Sequence, residues 1–194
     1  MVFIRNTRAK NNPIADIVNQ LVTEQIKLGL KASVWEISRR SAEQFQNKAY
    51  PVKRFSHHLF IWNTMKEIRK ELMKTGRSTI FHFHGGIVPA YYPIAFYLQE
   101  NKIPFILSPH GRYNLHTMSK TSYLKRKHFE NFDQNLITWC SALHFNSEQE
   151  KKELVSLFPF NQQKTYICPN GLINNNLNIA PKIMKHDEII YCFN

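Results

Sequence analysis

The feature that most constrains the fold is the alternation of strand-like and helix-like segments along the chain. Six short runs rich in apolar, β-branched or aromatic residues predict strands: residues 2–5, 31–37, 79–84, 103–107, 142–145 and 165–168. Five segments with a helical apolar period lie among them: residues 13–28, 57–74, 88–99, 123–132 and 147–158. This order is typical of βαβ units, so it predicts an α/β domain with a doubly wound parallel sheet.

The remaining segments have no clear period. Residues 38–56 are rich in charge and glutamine, and we expect a loop there with at most one short regular element. Residues 174–178 are mostly asparagine and are typical of a linker, and residues 188–193 have a strand pattern. A chain of 194 residues is the size of one ordinary domain.

The net charge of +12 favours anionic partners: nucleic acid, phosphorylated small molecules or an acidic membrane surface. A basic surface without a specific partner is the alternative. Nucleic acid is disfavoured because the chain has no recognised binding motif and its basic residues are scattered. Cys140, Cys168 and Cys192 are too widely spaced for a disulfide framework or a zinc signature, which predicts a cytoplasmic location. No segment approaches the ~20 apolar residues that span a bilayer.

The carboxyl ends of the strands are where a doubly wound sheet binds ligands. The first candidate is His82-Phe83-His84-Gly85-Gly86. His82 and His84 are two residues apart on a strand, so both rings should point to the same face. The glycines allow a sharp turn and a close approach of a ligand. A pair of hydrogen-bonded core histidines is the alternative, while a metal is not expected because no Cys, Asp or Glu nearby completes a ligand set.

The second candidate is Ser108-Pro109-His110-Gly111-Arg112-Tyr113, which must be a loop after a strand. His110 can donate or accept a hydrogen bond near neutral pH, which suits work on hydroxyl groups. Arg112 can meet a phosphate or a carboxylate. A purely structural turn is the alternative. The chain has no GxSxG, GxxxxGK[ST] or GxGxxG motif, so hydrolase, P-loop and dinucleotide-binding functions lack their signatures.

Five motifs in order carry a family resemblance: His82-x-His84-Gly85, Ile103-Pro104-Phe105, Ser108-Pro109-His110-Gly111, Ser141-Ala142-Leu143-His144 with Ser147-Glu148-x-Glu150, and Cys168-Pro169-Asn170-Gly171. Together they resemble the N-terminal domain of the family 4 (group 1) glycosyltransferases, which have the GT-B fold. The resemblance covers residues 79–172 and extends more loosely back to residue 1. It implies that residues 1–173 form a Rossmann-like, three-layer acceptor-side domain, and that residues 174–194 are a linker and the first strand of a truncated C-terminal domain.

The resemblance also implies an activity. Members transfer a sugar from a nucleotide-sugar to an acceptor, here a glycan or a lipid-linked acceptor of cell-surface polysaccharide synthesis, with retention of configuration and without a metal or other cofactor. By similarity, His110 lies near the donor sugar and the reaction centre, where it hydrogen-bonds a sugar hydroxyl. The cleft is lined by His82, His84, Gly85, Gly86, Gly111, Arg112 and Tyr113, and Pro169, Asn170 and Gly171 form the hinge.

Two departures from the family pattern limit what this chain should do alone. The loop at residues 7–12 has no glycine pair for the donor phosphate, so Arg8 and Lys10 are the candidates on that side. The nucleotide pocket of the second domain is absent, so the isolated chain is expected to be inactive unless a separate donor-domain chain completes it. The alternative is a non-catalytic module that binds an acceptor or an anionic membrane. The basic segment with Lys120, Lys125, Arg126 and Lys127 would then make peripheral contact with the inner face of the membrane.

Overall fold

The computed structural model describes residues 2–5, 13–38, 50–56, 61–75 and 78–171. The strands in these residues are β1 (Val2–Arg5), β2 (Val34–Ser38), β3 (Val52–Ser56), β4 (Phe81–His84), β5 (Phe105–Ser108), β6 (Ala142–Phe145) and β7 (Thr165–Ile167). They form one parallel sheet in the order β3-β2-β1-β4-β5-β6-β7. The chain winds outward from β1 to β3 and then from β4 to β7, so the doubly wound topology predicted from the alternation is confirmed.

The helices are α1 (Pro13–Lys27), α2 (Ile61–Leu72), α3 (Tyr91–Glu100), α4 (Leu115–Ser119), α5 (Tyr123–His128), α6 (Gln134–Trp139) and α7 (Glu148–Leu157). One wide π-helical turn, Phe129–Asp133, joins α5 to α6 without a break. The helix predicted over residues 123–132 therefore continues to Trp139, and α4 lies in a segment where no element was predicted. In the described residues, no helix has the length and apolar character to cross a membrane.

Helices cover both faces of the sheet, which gives the predicted three layers. Alternate strand residues such as Trp35, Phe83, Leu107 and Phe145 are fully buried in the larger core on one face, where α2, α3 and α6 pack. Val34 points to the opposite face, into a smaller cluster with Ala15, Val18 and Val22 of α1 and with Tyr50.

Residues 38–56, expected to be a loop with at most one short regular element, contain the short edge strand β3, which pairs in parallel with β2. The charged residues of β3 obscure its strand pattern in the sequence. Arg54 lies opposite Glu36 in the register, and its Nε donates to the buried Glu36 carboxylate at 3.2 Å. An edge strand exposes one side to water, so it tolerates cations that a central strand would exclude. The linker at residues 174–178, the strand pattern at residues 188–193, Arg8 and Lys10 lie outside the described residues.

Candidate active site at the carboxyl ends of three strands

A row of polar side chains breaks the apolar pattern on one face of the sheet. His82 and His84 of β4 alternate with the core residues Phe81 and Phe83, so they point away from the large core, and their rings lie 4.0 Å apart. Ser108 pairs with His84 in the β4–β5 register. Both faces of a parallel sheet are normally apolar, so polar groups at the centre of this sheet mark a candidate site.

The first chain of hydrogen bonds crosses β4, β5 and β6. His144 Nε2 lies 2.8 Å from the Cys168 carbonyl oxygen, which can only accept, so His144 carries its proton on Nε2. Its Nδ1 then accepts from the Ser108 hydroxyl at 2.8 Å, and the Ser108 oxygen accepts from His82 Nε2 at 2.7 Å. This row of hydrogen bonds ends at Cys168, beside the predicted hinge.

The second chain joins the two candidate motifs. His84 Nδ1 lies 2.9 Å from His110 Nε2, and the two rings are nearly parallel. The Asn146 side-chain amide donates to His110 Nδ1 at 3.2 Å, so His110 carries its proton on Nε2 and donates it to His84. His84 therefore carries its own proton on Nε2. The sequence predicts that the HxHGG and PHG segments lie at the same edge of the sheet, and these contacts bring them together.

Two buried polar atoms flank His110 without a partner. Within the described residues, neither His84 Nε2 nor Asn146 Oδ1 has a hydrogen bond, although His84 is only 3% exposed. One is a donor and the other an acceptor in the tautomers deduced above. Buried polar atoms are rarely left unpaired, so this pair marks where a polar ligand could bind.

The backbone of the PHG loop is held in a left-handed conformation. His110 has a φ of 52° and Gly111 a φ of 71°, and glycine adopts such an angle without strain while histidine does not. Glu150 of α7 stabilises this shape, because its carboxylate accepts from Gly111 N at 2.6 Å and from Asn146 N at 2.8 Å. Asn114 secures the other side by donating to the Gly111 carbonyl at 2.6 Å.

The Ser147–Glu150 spacing predicts a capping box, and half of it is present. Ser147 is the N-cap of α7, and its hydroxyl accepts from Glu150 N at 3.2 Å. The Glu150 carboxylate contacts the amides of Asn146 and Gly111, however, where the motif predicted the Ser147 amide. The Glu150 carboxylate, which in a capping box would bond within its own helix turn, therefore connects α7 to the PHG loop.

We expect Glu150→Gln to lower the free energy of unfolding by about 2 kcal/mol, because a carboxylate that accepts two backbone bonds becomes an amide that can accept only one well. Urea denaturation measures the change. Glu148→Gln is the matched control: it removes the same charge from the same exposed helix turn and should cost less than about 1 kcal/mol. Equal losses of stability in both variants would show that the two backbone hydrogen bonds of Glu150 contribute no more than a negative charge in this helix turn.

Desolvation keeps His82, His84 and His110 uncharged. Desolvation is the main reason that the pKa values of His82 and His84 lie well below the ordinary 6.5, and the neighbouring histidines lower them further. Desolvation, followed by the effect of His144, lowers the pKa of His110 to about 4. Near neutral pH the site therefore offers neutral imidazoles, each of which is both a donor and an acceptor.

Tyr113 packs beneath the HxHGG turn, next to Gly86. Its ring is 2% exposed, packs 5.1 Å from Phe129, and occupies the space that a side chain at Gly86 would need. Burial, followed by the charge of Asp133, raises the pKa of the Tyr113 hydroxyl well above 10. Asp133 in turn lies 3.0 Å from His128 Nδ1. Tyr113 thus belongs to the hydrophobic core, and its place on the cleft wall stays a prediction.

The other predicted residues lie apart from the cluster. Arg112 is exposed, and no contact joins its guanidinium group to the histidines in the described part of the chain. Pro169 is exposed and Asn170 and Gly171 are half-buried, directly after the Cys168 carbonyl that His144 contacts. No trio of metal-ligating side chains comes together in residues 2–5, 13–38, 50–56, 61–75 and 78–171.

Ser108, His144 and Glu150 lie in motifs quoted from the sequence but were not predicted as site residues, and Asn146 was not named. A signal was present for all four, because each lies at or after the carboxyl end of β5 or β6, the two strands that follow β4 in the sheet. Adjacent strand ends in a parallel sheet meet at one edge, so the residues following each inner strand form one site.

Comparison with known proteins identifies the family. The model of Glycosyltransferase Family 4 matches residues 15–173, more than four-fifths of the chain. The chain belongs to glycosyltransferase family 4. No curated protein sequence matches this family 4 chain.

Solved structures show the same fold. The crystal structures of HepE (Alr3699) from Anabaena in complex with UDP-glucose, with UDP and glucose, and with UDP match with TM-scores of 0.62, 0.60 and 0.61. Their sequence identities to this chain are 9%, 10% and 10%. Each match covers 88% of this chain and 44% of HepE, so the family 4 chain spans less than half the length of these proteins.

Proposed function

We propose that this domain is the acceptor-side half of a retaining, metal-independent glycosyltransferase that uses a nucleotide-sugar donor. The observation that carries the proposal is the pair of unpaired buried atoms beside His110: His84 Nε2 as a donor and Asn146 Oδ1 as an acceptor. A sugar hydroxyl both donates and accepts, so such atoms suit a carbohydrate ligand. The HepE complexes with UDP-glucose and UDP support a uridine nucleotide as the donor class.

The neutral state of the histidines suits the proposed chemistry. Sugar transfer passes through a transition state with positive charge on the ring, as in glycoside hydrolysis. Imidazoles held uncharged by burial bind hydroxyl groups without repelling that charge. Both ring nitrogens of His110 already have protein partners, so the sugar hydroxyl replaces the longer contact, Asn146 at 3.2 Å.

The leaving diphosphate needs positive charge, and the histidine cluster contains no lysine or arginine. We therefore assign the diphosphate contacts to a donor-binding domain, attached or supplied as a separate chain. The acceptor is a glycan or a lipid-linked glycan of polysaccharide synthesis. We place the enzyme in the cytoplasm, where the thiols of Cys140 and Cys168 remain free.

The test is release of UDP from UDP-sugars by the chain alone and after addition of a family 4 donor-binding domain. We expect no turnover by the chain alone and transfer when the donor domain is present. Multiple turnovers by the purified chain alone would contradict the assignment of the diphosphate contacts to another domain.

In the completed enzyme, His110→Asn should lower kcat by about 10- to 100-fold with little change in KM, because the contact acts near the reacting sugar. Asparagine tolerates the left-handed backbone of this position, so the loop shape is kept. His116→Asn, in an exposed position of α4, is the control and should retain the parental kcat. An unchanged kcat in His110→Asn would remove His110 from the reaction centre.

A non-catalytic acceptor-binding module is the second candidate, and the engagement of both His110 nitrogens favours it. Calorimetry of the chain with acceptor glycans distinguishes the two functions when it is combined with the UDP assay. Glycan binding without turnover in the presence of a donor domain would select the module.

A further inference from the structure

We propose that α5 and the aromatic residues beside it form a docking surface for an anionic lipid bilayer. This proposal goes beyond sugar transfer and is independent of it, because binding to a membrane requires neither donor nor acceptor. The surface consists of Tyr123 and Leu124, an aromatic strip formed by Phe96, Tyr92, Trp139 and Phe132, and the cations Lys120, Lys125 and Arg126.

The first observation is an apolar tip that folding does not explain. α5 has no buried residue, and it begins with Tyr123, which is 68% exposed, and Leu124, which is 78% exposed. Burial of a leucine contributes about 1.5–3 kcal/mol, and this one gains little of that in the domain. Large exposed apolar residues grouped together indicate a contact surface.

The second observation is a continuous strip of rings that leads away from this tip. His128 lies one turn after Leu124 on the same helical face, and its ring is 5.1 Å from Phe132. Phe132 is 4.9 Å from Tyr92, Tyr92 is 5.6 Å from Trp139, and Trp139 is 5.9 Å from Phe96. Phe132 and Phe96 are exposed, whereas Tyr92 and Trp139 are half-buried and also pack against the core. Tryptophan and tyrosine are the residues that favour the membrane–water interface.

The third observation identifies the partner by its charge. Residues 101–129 contain six lysines and arginines and not one aspartate or glutamate. Lys127 is paired with Glu130 at 2.7 Å, whereas Lys120, Lys125 and Arg126 are exposed and have no acidic partner among the described residues. Apolar side chains surrounded by unpaired cations match a bilayer with anionic headgroups, which takes up both kinds of group at once. A protein partner would have to supply an acidic rim around an apolar pocket.

The test is co-sedimentation of the full chain with phosphatidylcholine vesicles, with and without an equimolar share of phosphatidylglycerol. We expect binding to the anionic vesicles that weakens as salt is raised, and little binding to the neutral ones. Lys125→Gln with Arg126→Gln should weaken the partition about 25-fold, since each cation at an anionic surface contributes about fivefold. Tyr123→Ser with Leu124→Ser should weaken it by at least tenfold.

The matched controls remove two cations, or two exposed apolar side chains, at positions outside the proposed surface. Lys66→Gln with Lys70→Gln removes two exposed cations from α2, and Leu28→Ser with Met73→Ser removes two exposed apolar side chains. Both should retain the parental partition to within about twofold, since single surface changes away from the contact alter little. Equal binding to neutral and anionic vesicles, no binding to either, or equal losses in the α5 and control variants would overturn the proposal. Self-association that the Tyr123 and Leu124 changes abolish, without vesicle binding, would assign the surface to a second copy.

Discussion

Acidification from about pH 7 to about pH 4.5 is expected to lower the free energy of unfolding by several kcal/mol, because three desolvated histidines, one buried and two half-buried, are neutral in the folded domain. His110 alone accounts for about 2 kcal/mol over this interval, from a folded pKa of about 4 against an ordinary value of 6.5. The pKa values of His82 and His84 are lowered by the same burial and add to the loss.

The sign follows from the order in which the two states take up protons. The unfolded histidines bind protons below about pH 6.5, while the folded ones resist them until the pH is much lower. Between these limits the unfolded state holds more protons, so acid favours it. The stabilisation is fully present above about pH 6.5 and, for His110, is lost as the pH falls through about 4.

Urea denaturation at a series of pH values measures this loss. In His110→Asn the linkage of one histidine is removed, so the difference in stability between parent and variant should shrink steadily toward low pH. His116→Asn, at an exposed position, should run parallel to the parent. Parallel curves for parent and His110→Asn would mean that the His110 ring takes up protons as easily in the folded state as in the unfolded chain.

Sequence patterns were sufficient for six of the seven described strands and for the centre of the site. Residues in the Phe81–His84 strand alternate between aromatic rings and histidines, and that period alone places both imidazoles on one face. The parallel order of the strands then brings the His84 and His110 segments to one edge, where His84 Nδ1 lies 2.9 Å from His110 Nε2. Local periodicity and topology rules are enough for these conclusions.

Contacts between residues far apart in the sequence could not be predicted from local patterns. Glu150 satisfies a local motif with Ser147, yet its carboxylate reaches Gly111, which is 39 residues away. Ser108 was an ordinary loop residue by pattern, and it becomes the centre of a chain only when β5 lies between β4 and β6. The hydrogen-bond partners of short polar residues are set by the tertiary fold, and local patterns in a single sequence do not reveal which distant residues come together.

Gly86→Ala is expected to destabilise the domain by about 3 kcal/mol, at the upper end of the usual cost of overpacking. A Cβ built on Gly86 lies 2.5 Å from the Cε1, Cζ and Oη atoms of Tyr113, closer than side-chain atoms approach in real structures. The ring cannot swing into solvent, because it is buried against Phe129 and near Asp133. The new methyl group must therefore displace either the ring or the HxHGG turn.

A comparison with Gly111→Ala separates packing from backbone strain. Gly111 has a φ of 71° and open space where its Cβ would be, so alanine there should cost about 1 kcal/mol from its left-handed backbone alone. Gly86 has no such angle, and its cost should come from Tyr113 only. A double-mutant cycle with Tyr113→Leu checks this: the smaller side chain should recover most of the loss caused by Gly86→Ala. Strictly additive losses would mean that Tyr113 does not fix the turn against which the His84 and His110 rings are aligned.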